Sequence, residues 1–268
     1  MSATSTLSPA AYQQVVSIAQ QAGDAILSIY QRDFEVHNKS DDSPLTEADL
    51  AAHRLIVAEL TTLTPDVPVL SEESATTDWA ERQTWGEYWL VDPLDGTKEF
   101  IKKNGEFTVN IAHVVNGEPV WGVVVAPALG VTYQGGVASN GSQKNTAAGS
   151  GKIQVGSLPS GKDNWCVVGS RSHQSDEFIE FLTAFNNPTI TSMGSSLKIC
   201  LVAEGAAHLY PRLGLTSEWD TAAAHAVLAG AGGKIVHADS GKPLVYNQKS
   251  SLLNPFFIAA PANYQGAV

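Results

Sequence analysis

Between Phe107 and Gly135 three apolar runs of strand length, Phe107–Val115, Val120–Ala126 and Val131–Gly135, are divided by Asn116-Gly117 and by Pro127 to Gly130. Runs this short, bounded by such turn residues, pair as an antiparallel meander. The chain before them reads differently. Ser8-Pro9 is a helix start, a capping Ser with Pro in the first turn, and Tyr12, Val15, Ala19, Ala22, Ile26, Ile29 and Tyr30 follow at helical spacing. After the polar stretch His37 to Ser43, Thr46 opens a second helix that runs through Ile56 and Leu60 to about Leu63. Short apolar runs at Val67–Leu70 and Tyr88–Val91 are predicted strands.

The second half alternates. Strands are predicted at Cys166–Gly169, Ala206–Tyr210, Ile235–Val236 and Phe256–Ala259, and helices at Ser175–Phe185, Ser195–Glu204 and Asp220–Leu228. That order implies layered α/β packing after an α+β first half. The Gly-, Ser- and Asn-rich stretch Ser139 to Gly161 is read as the boundary, dividing residues 1–150 from 151–268.

Composition excludes several classes. With 43% hydrophobic and 16% charged residues the chain is not intrinsically disordered. No apolar run approaches the roughly 20 residues of a membrane-spanning helix, and the start, MSATSTLSPAAYQQ, does not resemble a secretory signal. Cys166 and Cys200 form neither a disulfide framework nor a metal pair, which fits a reducing cytosol. Sixteen basic against 27 acidic residues give a net charge of −11, so a nucleic-acid polymer is not an expected partner. A small anionic substrate remains compatible if something local, such as bound divalent cations, reverses the field.

Carboxylates stand at the ends of apolar runs: Glu72-Glu73 after Leu70, Asp92-Pro93-Leu94-Asp95-Gly96-Thr97 after Val91, and Asp220 after Leu213-Gly-Leu-Thr-Ser-Glu-Trp. Pro93 favours a tight turn that presents both aspartates and the Leu94 carbonyl to one point, the oxygen donors a hard cation such as Mg²⁺ takes. Gly96 permits close backbone approach, and a helix starting near Thr97 would aim N–H groups at a phosphate. Each motif alone has a plainer explanation. Asp92 and Asp95 fit a turn or a cap, Glu72-Glu73 a solvated surface, Asp220 an N-cap, and Asp49 a first-turn residue opposing the helix dipole.

Together, in this order and over about 150 residues, the three motifs resemble the signature of the inositol monophosphatase superfamily of Mg²⁺-dependent, lithium-sensitive phosphatases. The continuation Lys98-Glu99-Phe100-Ile101, with Gly169-Ser-Arg-Ser-His173, Met193-Gly-Ser-Ser-Leu-Lys198 and Glu218-Trp219-Asp220, is similar to its 3'(2'),5'-bisphosphate nucleotidase branch. The resemblance implies an α-β-α-β-α sandwich and two or three Mg²⁺ ions held by Glu72, Asp92, Asp95, Asp220 and the Leu94 carbonyl. It implies that Thr97 orients a water and passes a proton toward Asp49, with Glu73 supporting a weaker metal or orienting Glu72. It implies substrate contacts from Glu72, Asp95, Gly96, Thr97, Arg171, His173, Gly194, Ser195, Ser196, Lys198, Glu218 and Asp220. Lys102-Lys103 reads as an exposed charge pair, and the scattered histidines show no zinc-ligand spacing.

The activity so implied is removal of the 3'-phosphate from adenosine 3',5'-bisphosphate (PAP) to give AMP, with PAPS to APS as a further candidate, in sulfur assimilation. An inositol or sugar-phosphate monophosphatase and a non-catalytic metal- or nucleotide-binding module stay open as alternatives. The expected setting is the cytoplasm, with peripheral association on the inner face of the membrane open, and the expected state a monomer or homodimer.

Overall fold

The structure is a computed structural model that describes residues 7–32, 36–38, 44–169 and 175–266. Helix α1 (Pro9–Tyr30) is followed by a short antiparallel pair, β1 (Val36–Asn38) with β2 (Pro44–Thr46), and by α2 (Glu47–Leu63). Both long helices start where the caps demand. Ser8 Oγ accepts the Ala11 N–H at 3.2 Å, and Thr46 and Asp49 form a reciprocal capping box.

Next come β3 (Val69–Ser71), α3 (Trp79–Arg82), β4 (Glu87–Asp95), α4 (Thr97–Ile101), β5 (Thr108–Val115), β6 (Glu118–Ala126), β7 (Val131–Gly136), β8 (Gly141–Thr146) and β9 (Gly149–Ile153). The seven strands from β3 to β9 lie side by side in sequence order. Only β3–β4 is parallel; the rest is the expected meander, extended at both ends. The chain continues through β10 (Cys166–Gly169), α5 (Asp176–Leu182), β11 (Thr189–Ser192), α6 (Leu197–Ala203), β12 (Tyr210–Arg212), α7 (Ala222–Gly230), β13 (Gly233–His237) and β14 (Phe257–Pro261). Strand β10 pairs in parallel with β11, and β12, β14 and β13 pair antiparallel. A parallel bridge between Val167 and Leu209 joins the two groups side by side.

Side-chain alternation then sorts the layers. Trp89, Val91, Val109, Ile111 and Val123 pack with α1 and α2 on one face of the large sheet. Tyr88, Leu90, Ala112, Val114 and Val124 pack with α6 and α7 on the other. Phe257 and Ala259 close the far side of that helical layer, while Ile258, Ala260 and Val167 face α5 through Phe178. The order is helix, sheet, helix, sheet, helix, the sandwich expected from the motifs. Helix α7 lies between two sheets, so its residues from Ala222 to Leu228 are all buried, His225 included.

The stretch 139–161 is not a linker throughout. It carries β8 and β9, and a division after residue 150 falls inside β9. These strands at the end of the sheet are built almost wholly from Gly, Ser, Gln, Lys, Asn and Thr and are mostly half-buried or exposed, so they carry none of the apolar alternation by which a strand is read. β11 was missed for the same reason. The predicted strand Ala206–Tyr210 lies later, at Tyr210–Arg212, and the helix expected from Ser195 begins at Leu197 because Ser195 has φ 47°, outside the right-handed helical region.

Gly122 sets the closeness of α7 to β6: a Cβ there would stand 2.4 Å from the Ala223 carbonyl oxygen. Gly122→Ala should therefore cost about 1–3 kcal/mol of unfolding free energy in urea titration. Gly151→Ala, where a Cβ meets nothing within 4 Å, should stay within about 0.5 kcal/mol of the parent. Equal effects at the two positions would refute the close-packing argument.

Candidate active site

The site grows from the end of β4. Pairing with β5 runs regularly to Asp92–Asn110 and resumes at Asp95–Thr108, so a residue is extruded between them. Pro93, with no N–H to place in a ladder, occupies the irregularity. Asp92 is 1% exposed, and its Oδ1 accepts the Leu94 N–H at 3.1 Å. Gly96 then takes φ 90°, and α4 begins at Thr97.

Asp49 reaches this turn from α2. Its Oδ2 accepts the Thr46 N–H at 2.8 Å and the Thr46 hydroxyl at 2.6 Å. Its Oδ1 lies 3.2 Å from Thr97 Oγ1, which is also 3.3 Å from the Leu94 carbonyl oxygen. The cap and the link to Thr97 thus use different oxygens of one buried carboxylate. Burial raises the Asp49 pKa most, and the charge of Glu73 adds to the rise.

Asp95 is tied to the second half of the chain. Its Oδ2 accepts the Ser196 N–H at 2.6 Å and the Asn110 side-chain N–H at 3.3 Å. Ser196 Oγ in turn donates to Asn110 Oδ1 at 2.9 Å and lies 2.9 Å from Thr108 Oγ1. Asp220 does not cap α7, as the plainer sequence reading had it. Its Oδ2 turns back to accept the Ser217 N–H at 2.9 Å.

Asp92, Asp95 and Asp220 resist ionising together beside Glu72. Burial pushes Asp92 well above the ordinary carboxylate range, and the charges of Glu72, Asp95 and Asp220 push it further. Burial raises Asp95 to about 6 even though Lys198 and the Ser196 N–H pull it down. Asp220 is pushed up to about 8, by burial first and then by Asp95. Among the described residues no three His, Cys, Asp or Glu side chains stand closed around one metal position. The carboxylates are near enough to share a field but are not drawn into a shell. Their donor atoms, all oxygen, fit Mg²⁺ and not a soft metal.

Beside them opens a cavity of about 520 Å³. Of the residues that the resemblance implies as substrate contacts, Asp95, Gly96, Ser195, Ser196, Lys198 and Asp220 line it. The lining reaches neither Glu72 nor Thr97. Gly194 serves packing: a Cβ there would fall 2.6 Å from the Glu106 carbonyl oxygen, so its bare Cα lets the turn before α6 sit against the loop after α4. Glu218 is not aimed at the cavity. It is buried, accepting the Asn247 N–H at 2.8 Å and pairing with Lys249 at 3.2 Å. Arg171 and His173 lie outside the described residues.

Two lining residues were missed in the sequence. Arg212 is one: its Nη2 donates to the Leu215 carbonyl at 2.9 Å, and its buried Nε has no partner among the described residues. The available signal was an arginine closing an apolar strand just before the run to Asp220. Lys102 was set aside with Lys103 as a charge pair, but the two part company. Lys102 lines the cavity, whereas Lys103 donates to the Tyr30 carbonyl.

A model of the inositol monophosphatase family matches residues 9–266. The chain belongs to that family. It is 52% identical over 247 residues to the 3'(2'),5'-bisphosphate nucleotidase CysQ of Salmonella typhimurium, covering 91% of this chain and 97% of the relative. The protein of the same name from Escherichia coli K12 is 52% identical over 246 residues, with the same coverage. Among solved structures, CysQ from Bacteroides thetaiotaomicron superposes with a TM-score of 0.82 at 42% identity, covering 94% of this chain and 97% of that one.

The raised carboxylates have a consequence for stability. Asp95 and Asp220 hold their protons more tightly folded than unfolded, where the value is 3.8. The stability those protons contribute is complete below about pH 4 and is lost as pH rises to about 6 at Asp95 and about 8 at Asp220. In chelator at pH 8, Asp220→Asn should unfold at higher denaturant than the parent, by about 1–3 kcal/mol, because a neutral amide removes the repulsion. The difference should shrink toward pH 4. A variant less stable than its parent at pH 8 would contradict the buried-charge argument.

Proposed function

We propose that this chain is a Mg²⁺-dependent phosphatase that removes the 3'-phosphate from adenosine 3',5'-bisphosphate, releasing AMP and phosphate. The observation that carries the reading is the clustering of buried Asp92, Asp95 and Asp220 with Glu72, beside a cavity that also presents Lys198 and Arg212. The names of the relatives support the substrate class. The proposal extends to PAPS as a second substrate, to lithium sensitivity, to two or three Mg²⁺ ions and to a cytoplasmic role in sulfur assimilation. No described helix is long and apolar enough to cross a membrane.

In this reading Glu72, Asp92, Asp95, Asp220 and the Leu94 carbonyl hold the metal ions. Bound there, Mg²⁺ supplies charge neutralisation at the phosphate, a lowered pKa for a water and stabilisation of the departing oxygen. The chain's own residues do the rest. Thr97 Oγ1 donates its single proton to Asp49 Oδ1 and keeps lone pairs to accept one from the attacking water. Asp49, whose pKa is raised, is suited to take up that proton. The water oxygen bonds to phosphorus as the bond from phosphorus to the ribose 3'-oxygen breaks, and that oxygen takes a proton from solvent to leave as the 3'-hydroxyl of AMP. No thiol takes part: neither Cys166 nor Cys200 lines the cavity.

Lys198 and Arg212 are proposed to hold the second phosphate. Each is already anchored to a carbonyl, Lys198 Nζ to Met193 at 3.4 Å and Arg212 to Leu215, so little freedom is lost on binding. Ser195 adds a buried hydroxyl with no partner among the described residues, close to the same space.

The deciding experiment measures phosphate release from adenosine 3',5'-bisphosphate and from inositol 1-phosphate, with Mg²⁺ and in chelator. A Mg²⁺-dependent kcat/KM at least about 100-fold higher on the bisphosphate is expected, as two charge-assisted contacts would give. Comparable values would favour the sugar-phosphate alternative, and no hydrolysis of either would favour the non-catalytic one. Asp92→Asn should abolish turnover on both substrates. Thr97→Ala should lower kcat by about 10²–10⁴-fold with little change in KM. A rise in KM at unchanged kcat would remove Thr97 from the proton path.

A further inference from the structure

Helix α4 and the residue that caps its C-terminus carry two lysines that the proposed mechanism does not use. Lys98 and Lys102 are one helical turn apart, so they share a face, and both side chains line the 520 Å³ cavity although both are solvent-exposed. Neither ammonium group makes a hydrogen bond or an ion pair with a described residue. That separates them from every other cation nearby. Lys103 is tied to the Tyr30 carbonyl and lies 4.4 Å from the centre of its ring, and Lys198 and Arg212 are tied to carbonyls of the cavity wall.

We propose that Lys98 and Lys102 form a cationic rim that draws doubly phosphorylated substrates into the cavity and sets their KM. The inference rests on the bisphosphate reading above and adds the means of selection. The charge balance of the wall motivates it. With the rim, four cations (Lys98, Lys102, Lys198 and Arg212) face three carboxylates (Asp95, Glu99 and Asp220). Without it, the cations facing the cavity fall from four to two, while two of the three carboxylates, Asp95 and Asp220, are the proposed metal ligands.

The chain as a whole carries −11, so an approaching bisphosphate is repelled until it meets a local positive field. Two uncommitted ammonium groups on flexible stems supply one at long range, and a cleft with low-dielectric walls focuses it. The attraction scales with ligand charge, so a second phosphate gains more from the rim than a lone monoester does. Neither amine is needed at the reacting atoms. The rim therefore acts on capture and not on the chemical step.

The test uses Lys98→Gln, Lys102→Gln and the double variant of the full chain, with Mg²⁺. On adenosine 3',5'-bisphosphate each single variant should lose about 3–10-fold in kcat/KM and the double about 10–100-fold, all of it in KM. Loss on a nucleoside monophosphate should stay under about threefold. The fall of log kcat/KM with ionic strength should be shallower in the double variant, and Lys102→Arg should behave as the parent. An unchanged salt slope and KM in the double variant would overturn the proposal, as would a loss confined to kcat or one equal on both substrates. If the parent itself hydrolyses monophosphates but not the bisphosphate, the substrate reading fails in the parent, before any variant is compared, and the rim's role in selection falls with it.

Discussion

Like charges buried together are the constraint on which the molecule is organised. Placing Asp92, Asp95 and Asp220 within reach of Glu72 in a low-dielectric interior is unfavourable for every member. A chain folds with such a cluster only if the rest of its structure over-determines it. Here the compensation is a set of N–H groups: Leu94 to Asp92, Ser196 to Asp95 and Ser217 to Asp220. Each donor comes from backbone fixed by a turn or a strand end, so the carboxylates are held in place while their remaining oxygens stay available.

The same contacts join the two halves of the sandwich. Asp95 belongs to the large sheet, yet its shortest hydrogen bond is to the backbone entering α6. Ser196 then returns two contacts to β5, at Asn110 and Thr108. Gly194 allows the approach by leaving no Cβ between its turn and Glu106. The cavity lies at this junction, with β4 and α4 supplying one part of its lining and α6 and β12 another. The cavity and the packing of the two halves are thus parts of one arrangement.

Much of this was legible in the sequence because the informative residues have little freedom. Pro93 and Gly96 bracket a turn that few other residues would make, and the capping box at Thr46 and Asp49 announces α2 at its first residue. The Asp49–Thr97 link was legible only through the family likeness, since 48 residues separate the partners. What escaped reading did so for physical reasons. β8 and β9 have no apolar face, so pairing of β8 with β7 and of β9 with β8 specifies them, and not pattern. Glu218 was placed at the substrate by its nearness to Asp220, but two residues along a turn is enough to aim a side chain the opposite way, into the 247–249 segment. Arg212 and Lys102 depend on which residues share a cavity, a three-dimensional fact with only a faint trace in one dimension.

The most direct test of the account is a count of protons. Carboxylates that keep their protons near neutral pH must release them when a cation takes their oxygens. Calorimetric titration of Mg²⁺ into the metal-free protein at pH 7, repeated in buffers of different ionisation enthalpy, measures that number. Release of about one proton or more per chain is expected, because Asp220 is raised to about 8 and Asp92 well above its usual range, and the number should fall as the pH is raised. Mg²⁺ binding with no proton released at pH 7 would contradict the claim that buried, mutually repelling carboxylates form the metal site.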